Sequence, residues 1–199
     1  MQVHHQVRAR YDDQTIRVYQ AFPHRIGDHA AKHGRFGEEF SLSRMTWIKP
    51  SFNWMMYRSG YGEKRDQEVV LALDITREGF EWALRHAALS SFDPAIHADQ
   101  ADWQRQLENS SVRIQWDPSR DWRLARHATE RTIQMGLAGD AVRHYVEKWI
   151  VRIEDVSDLA RAFAQHARLG TVPDRRPDEL ELPYPLPGDL VDETLTLPT

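Results

Sequence analysis

The stretch that decides how this chain folds is residues 44–60, RMTWIKPSFNWMMYRSG. Three cations (Arg44, Lys49, Arg58) interleave there with four aromatics (Trp47, Phe52, Trp54, Tyr57) and three methionines. Pro50 sits where a helix can begin, because the first turn has no use for the missing N–H. Ile48, Phe52, Met55, Met56 and Ser59 repeat at helical spacing as one buried stripe, and Gly60 and Gly62 end the helix. Trp54, Tyr57 and Arg58 are left on other parts of its surface. Arginine beside exposed rings can grip a phosphate bidentately while a ring stacks on a base or a nicotinamide. The competing reading packs every ring and lets the cations snorkel to water.

Upstream, TIRVYQAF (15–22) alternates and is rich in β-branched and aromatic residues, as a strand is. Its parity places Ile16, Val18 and Gln20 on one face and Arg17, Tyr19 and Ala21 on the other. Burying Arg17 and Tyr19 side by side requires an anion or an acid opposite them. The alternative is an edge strand with Arg17 in water. After Pro23 the sequence predicts a short helix over 25–36, then a strand, FSLSRMTW, over 40–47. Downstream, QEVVLALDIT (67–76) reads as a strand and 77–89 as a helix, followed by a polar stretch, 90–111, with weak patterning. VRIQWD (112–117) reads as a strand closed by Pro118, DWRLARHATE (121–130) as helical, and RTIQMGL (131–137) as a short strand. A helix over 138–149, a strand over 150–156 and a helix over 158–170 with a terminal glycine complete the series.

Strands and helices intermingle without βαβ regularity, so the predicted class is α+β, a mixed, split sheet with flanking helices. No glycine-rich fingerprint follows a strand, which argues against a Rossmann site or a P-loop. At 199 residues the chain suits one globular domain, read as 1–170. Residues 171–199 hold six of the ten prolines and seven acids against two bases, and read as an extended acidic tail. The body then carries 24 bases against 23 acids, too balanced for a dedicated duplex-DNA binder. Cysteine is absent, which excludes disulfides, thiolate metal sites and a cysteine nucleophile. No run of about 18 apolar residues and no signal-peptide pattern occurs, so the expected location is cytoplasmic.

Two further groupings stand out. Arg113, Trp116, Arg120, Trp122 and Arg123 interleave in a way that can track a single-stranded nucleic acid, or else form a solvated face with arginine–acid pairs. His29 and His33 stand four apart on a helix, but no glutamate follows His29, so the zinc-protease pattern is absent and no metal site is assigned.

The order TIRVYQAF, RMTWIKPSFNWMMYRSG, a QE before an apolar strand, IQWDPSR and RTIQMGL resembles the bacterial and fungal family of domain of unknown function 4291, over about residues 5–165. The order of elements also resembles ADP-ribosyltransferases, including those that modify nucleic acid. That resemblance implies NAD as substrate. It gives Arg17 the dinucleotide phosphates, Ser41 or Ser43 the nicotinamide pocket, and Gln134 or Glu130 the ribose. Arg44, Lys49 and Arg58 would help to hold the pyrophosphate, and Tyr19, Trp47, Trp54 or Tyr57 would stack on the nicotinamide. Where that family has a late glutamate this chain has Gln134, which can hydrogen-bond a ribose hydroxyl but cannot stabilise a cationic centre by charge. Three readings follow: an ADP-ribosyltransferase, possible acceptors including single-stranded nucleic acid; a non-catalytic nucleotide or single-stranded nucleic-acid binder; and an interaction domain that docks through its tail.

Overall fold

A computed structural model describes residues 3–193, with side chains to residue 190. Two short strands, β1 (His4–His5) and β2 (Arg8–Ala9), precede β3 (Thr15–Phe22) and helix α1 (His24–His33), which stops at Gly34 in the left-handed region. Then come β4 (Thr46–Ile48), α2 (Phe52–Ser59), β5 (Val69–Thr76), α3 (Arg77–Arg85) and β6 (Ala87–Leu89). Helix α4 (Gln100–Asn109) leads to the long hairpin of β7 (Val112–Arg120) and β8 (Arg126–Leu137). Helix α5 (Gly139–His144) runs into a π-turn at Tyr145–Trp149, followed by β9 (Ile150–Asp155), α6 (Ser157–Leu169), β10 (Leu182–Pro183) and α7 (Gly188–Glu193).

The class is α+β, and the sheet is split. One sheet has the order β1-β8-β7-β6 with β4 also on β8, and it mixes parallel (β1–β8, β6–β7) and antiparallel pairs. A second is antiparallel, β3-β5-β9, and a third, two-stranded, pairs β2 with β10. The first two are joined backbone to backbone beside β4. Just past β4, Lys49 and Tyr19 exchange both backbone hydrogen bonds, at 2.7 and 3.2 Å. The backbone of Lys49 is therefore the staple between the sheets.

Alternation gives the hairpin one apolar and one polar face. Ile114 on β7 with Ile133 and Met135 on β8 feed the main core, together with Ile16, Val18, Leu71, Leu73 and Ile75. The opposite face carries Gln115 opposite Gln134 and Asp117 opposite Thr132. Three of these four are buried, since the N-terminal end of α2 lies against β7 and Asn53 Nδ2 donates to the Arg120 carbonyl. A second core joins Phe52, Met55 and Met56 of α2 to Phe163 and Ala160 of α6.

Several expectations need correcting. The serine-rich segment is not a strand before Thr46: Ser41 and Ser43 are exposed in a turn and hydrogen-bond each other, while Phe40 turns inward and stacks on Phe36. Residues 121–130 are not helical. Asp121 Oδ1 accepts from the N–H groups of Arg123 and Ala125, and Leu124 takes φ +66°, which builds a tight turn. The next residues then find their hydrogen-bond partners on β7 and β1, so RTIQMGL is only the second half of a 12-residue strand. Pro118 does not close β7 but lies beside its register shift, where a missing N–H is tolerated. The polar stretch contains α4, started by Asp99 accepting from Asp102 N–H.

Nor does the body end at residue 170. The segment beyond it is not simply extended, since it carries a 3-10 turn (Pro177–Leu180) and α7, and it docks: β10 pairs with β2, Tyr184 and Leu190 are buried in the main core, and Glu181 is buried against α2. Apolar anchors override the acidic, proline-rich composition there. Residues 194–199 of the expected tail lie outside the described residues.

Candidate functional site

Lys49 is placed by the staple, and its side chain opens into a hollow of about 560 Å³. The end of β3 contributes Gln20, the segment through β4 contributes Arg44 and Trp47, α2 contributes Arg58, and the polar face of the hairpin contributes Gln115 and Gln134. Trp47 stands opposite Gly136, where a Cβ would come within 2.9 Å of the indole. Glycine is needed there so that the ring can lie over the strand.

The electrostatics of this hollow are one-sided. Arg44 and Arg58 are exposed at its edge and Lys49 is buried, 5% accessible. No carboxylate lines it among the described residues. Lys49 Nζ donates to the Trp47 carbonyl at 3.2 Å and has no acid within 4.0 Å among the described residues. Burial, with the Arg58 charge adding to it, pulls the ammonium down to about 7 against the attraction of Asp117.

Asp117 sets the glutamines. Its two oxygens accept from Gln134 Nε2 at 2.6 Å and Gln115 Nε2 at 2.8 Å. A carboxylate only accepts, so both amides must turn their NH₂ to it and keep their carbonyl oxygens for something else. Gln20 is saturated by contrast, donating to Thr46 Oγ1 and the Trp47 carbonyl and accepting from Tyr145 Oη. The hollow thus offers cations for an anion, free acceptors for hydroxyl groups, and an indole.

A second hollow, about 960 Å³, lies along the same polar ribbon towards the hairpin end. Arg8, Arg120, Arg131 and Arg176 line it with Trp122 and four acids, Asp121, Glu130, Asp178 and Glu181. Glu181 Oε1 accepts from the Phe52 N–H at 2.6 Å at the start of α2, and burial pushes its carboxyl up to about 8. Asn53 Oδ1 and Arg120 Nε are buried there without partners among the described residues.

Of the residues singled out in the sequence, Arg44, Trp47, Lys49, Arg58 and Gln134 converge on the first hollow. Glu130, Arg120 and Trp122 fall on the second. Arg17 reaches neither. Its guanidinium bonds Asp74 at 2.7 and 2.9 Å and Glu154 at 3.2 Å, which answers the acid requirement of its buried face and leaves no fork for a phosphate. It also lies four residues from Ala21 at the hollow, roughly 13 Å along the strand. Ser41 and Ser43 line neither hollow. Tyr19 is buried edge-on to Phe52, with its hydroxyl pushed well up by burial. Trp54 is buried, not exposed as expected. It packs on Tyr57, whose ring carries the Arg120 guanidinium at 3.8 Å.

The arginine–tryptophan patch divides in the same way. Arg113 donates to the Ser110 carbonyl, Trp116 packs edge-on with His5, and Arg123 lies exposed over Trp122. His29 and His33 have their rings 4.4 Å apart, and no group of three or more metal-ligating side chains occurs among the described residues. No helix among them is long and apolar enough to cross a membrane. Sequence reasoning missed Gln20, Gln115, Asp117 and Glu181. The signal for the first two was a glutamine inside an apolar strand run; Glu181, far along the chain, left none.

No curated protein matches the chain. A family model, described as Domain of unknown function (DUF4291), matches residues 6–181, a span that takes in every lining residue of the first hollow and ends on Glu181. The chain belongs to the DUF4291 family.

Proposed function

We propose that this protein binds a phosphorylated ribosyl compound, a nucleotide or a dinucleotide such as NAD, in the hollow around Lys49. The observation that carries the reading is the lining: three cations with no carboxylate among them, beside two glutamine carbonyls freed by Asp117. Arg44 and Arg58 take phosphate oxygens, Gln115 and Gln134 accept from ribose hydroxyls, and Trp47 packs against the sugar or the base. The volume suits a ligand of that size. ADP-ribosyl transfer from NAD is the finer reading. It keeps Gln134 on the ribose, passes the phosphate role from Arg17 to Arg44 and Arg58, and leaves the serine role unfilled.

The test is thermal unfolding with ADP, NAD, ADP-ribose and inorganic phosphate, each at millimolar concentration. A rise with the nucleotides that shrinks in Arg58→Ala supports binding. Nicotinamide released from NAD separates transfer from binding alone. No rise with any nucleotide overturns the proposal.

The gathering of Arg8, Arg120, Arg131 and Trp122 in the larger hollow favours a second ligand, a single-stranded nucleic acid. Binding of a labelled oligothymidylate should weaken steeply with salt and lose about one unit of salt slope in Arg131→Ala. Salt-insensitive binding, or none, would count against it.

A further inference from the structure

A phosphate site needs cations, but it does not need one that gives up its charge at neutral pH. The chain has 26 basic residues, and only four are lysines: Lys32, Lys49, Lys64 and Lys148. Three are exposed, and the fourth is the buried one in the hollow. An arginine there would stay charged; a lysine is the cation that can become a nucleophile. Two causes act on Lys49 together, loss of water around Nζ and a guanidinium nearby with no acid in direct contact. Both are recognised ways of activating a lysine amine.

The neighbours define what such an amine would meet. Arg44 and Arg58 anchor a phosphate, while the Gln115 and Gln134 carbonyls accept hydroxyl groups. A polyhydroxylated chain with a phosphate at one end satisfies both, and its open form carries an aldehyde. We infer that Lys49 is a covalent nucleophile that forms an imine with the aldehyde carbon of a sugar phosphate held in this hollow. The inference rests on the phosphate-binding reading and adds a reaction to it.

The step balances without any oxidant or second substrate. The Nζ lone pair attacks the carbonyl carbon, and the C=O π electrons move to oxygen, which takes up a proton. The nitrogen of the resulting carbinolamine loses a proton to water. Water protonates the hydroxyl, the nitrogen lone pair expels it as water, and the resulting C=N–H⁺ returns a proton to water, leaving C=N between the sugar and Lys49. Amine and aldehyde give imine and water, with no net change of oxidation state. Confinement among fixed polar groups favours addition by holding the carbonyl beside the amine.

The experiment is reductive trapping on the full chain. Ribose 5-phosphate is incubated with the protein near neutral pH, sodium borohydride is added, and the product is mapped by peptide mass spectrometry. The expected result is one saturable adduct per chain, on Lys49 in preference to the three exposed lysines. Excess inorganic phosphate should suppress it, unphosphorylated ribose should label at least tenfold more slowly, and Lys49→Arg should abolish it. Labelling spread over Lys32, Lys64 and Lys148 without excess at Lys49 would overturn the inference, as would equal labelling by ribose. Where ADP still raises the melting temperature but no adduct is trapped, the imine fails and the binding site stands. Where neither is seen, both fail. Lys49→Met serves as a second variant should Lys49→Arg not fold.

Discussion

Arg17, on β3, and Lys49, just past β4, are both buried cations, 8% and 5% accessible. They are handled in opposite ways. Arg17 lies on the three-stranded sheet with two carboxylates bonded to its guanidinium, so its charge is neutralised inside the fold. Lys49 lies at the junction of the two sheets with one carbonyl for company and two arginines across a hollow. A cation that brings its own anion is completing the structure. One that lacks an anion is either costly or waiting for a ligand, and the binding proposal takes the second for Lys49.

The comparison can be broken most sharply at Arg17. Arg17→Ala leaves Asp74 without its partner and Glu154 with Arg152 alone, and should cost about 3 kcal/mol in urea unfolding, while the folded fraction keeps its nucleotide affinity. An equal loss of affinity would merge the two regions into one site.

Lys49→Met should do the reverse. Removing a buried, unpaired ammonium raises stability by roughly 2 kcal/mol near pH 6, while nucleotide binding is lost. The sign follows from linkage. Below about pH 7 the folded chain carries the buried charge and the penalty is fully present; it fades as pH rises from about 7 towards 10.5, where the unfolded chain is still protonated. The advantage of Lys49→Met over wild type should therefore shrink across that window.

Arg58, exposed at the hollow's edge, should matter for the ligand alone. Arg58→Ala should weaken nucleotide binding about tenfold, or ~1.4 kcal/mol, with unfolding changed by less than about 0.5 kcal/mol. Calorimetric titration beside urea unfolding checks both. The smallest effect is expected at Glu181. Its folded pKa is raised from 4.5 to about 8, so wild-type stability falls as pH rises through that window and the penalty is complete above it. Glu181→Gln can still accept from the Phe52 N–H, and should gain about 1 kcal/mol above pH 8 and nothing below pH 4.5.

How far the sequence carried depended on how local each cause was. The strand TIRVYQAF, the apolar stripe of α2 and the glycine stops were legible because periodicity and left-handed φ are local properties. The parity of β3 also posed the correct question about Arg17, although the acids that answer it are 57 and 137 residues away. DWRLARHATE misled because its arginines and alanine suit a helix, while an Asp121-centred turn and two flanking strands supply stronger hydrogen bonding. The serine segment misled by alternation, when Phe40 had a stacking partner in Phe36. The cluster at 44–60 stood out because its charges are dense, and its three cations and one of its rings line the hollow. Asp117 and the docked tail were not, since a polar sheet face and a returning strand are matters of tertiary pairing.

The most direct measurement is an isothermal titration of the 199-residue chain with ADP at low ionic strength, in wild type, Lys49→Met and Arg120→Ala. The account predicts saturable one-to-one binding in wild type, none in Lys49→Met, and wild-type affinity in Arg120→Ala, whose side chain belongs to the other hollow. Undiminished binding in Lys49→Met, or loss in Arg120→Ala alone, would contradict it.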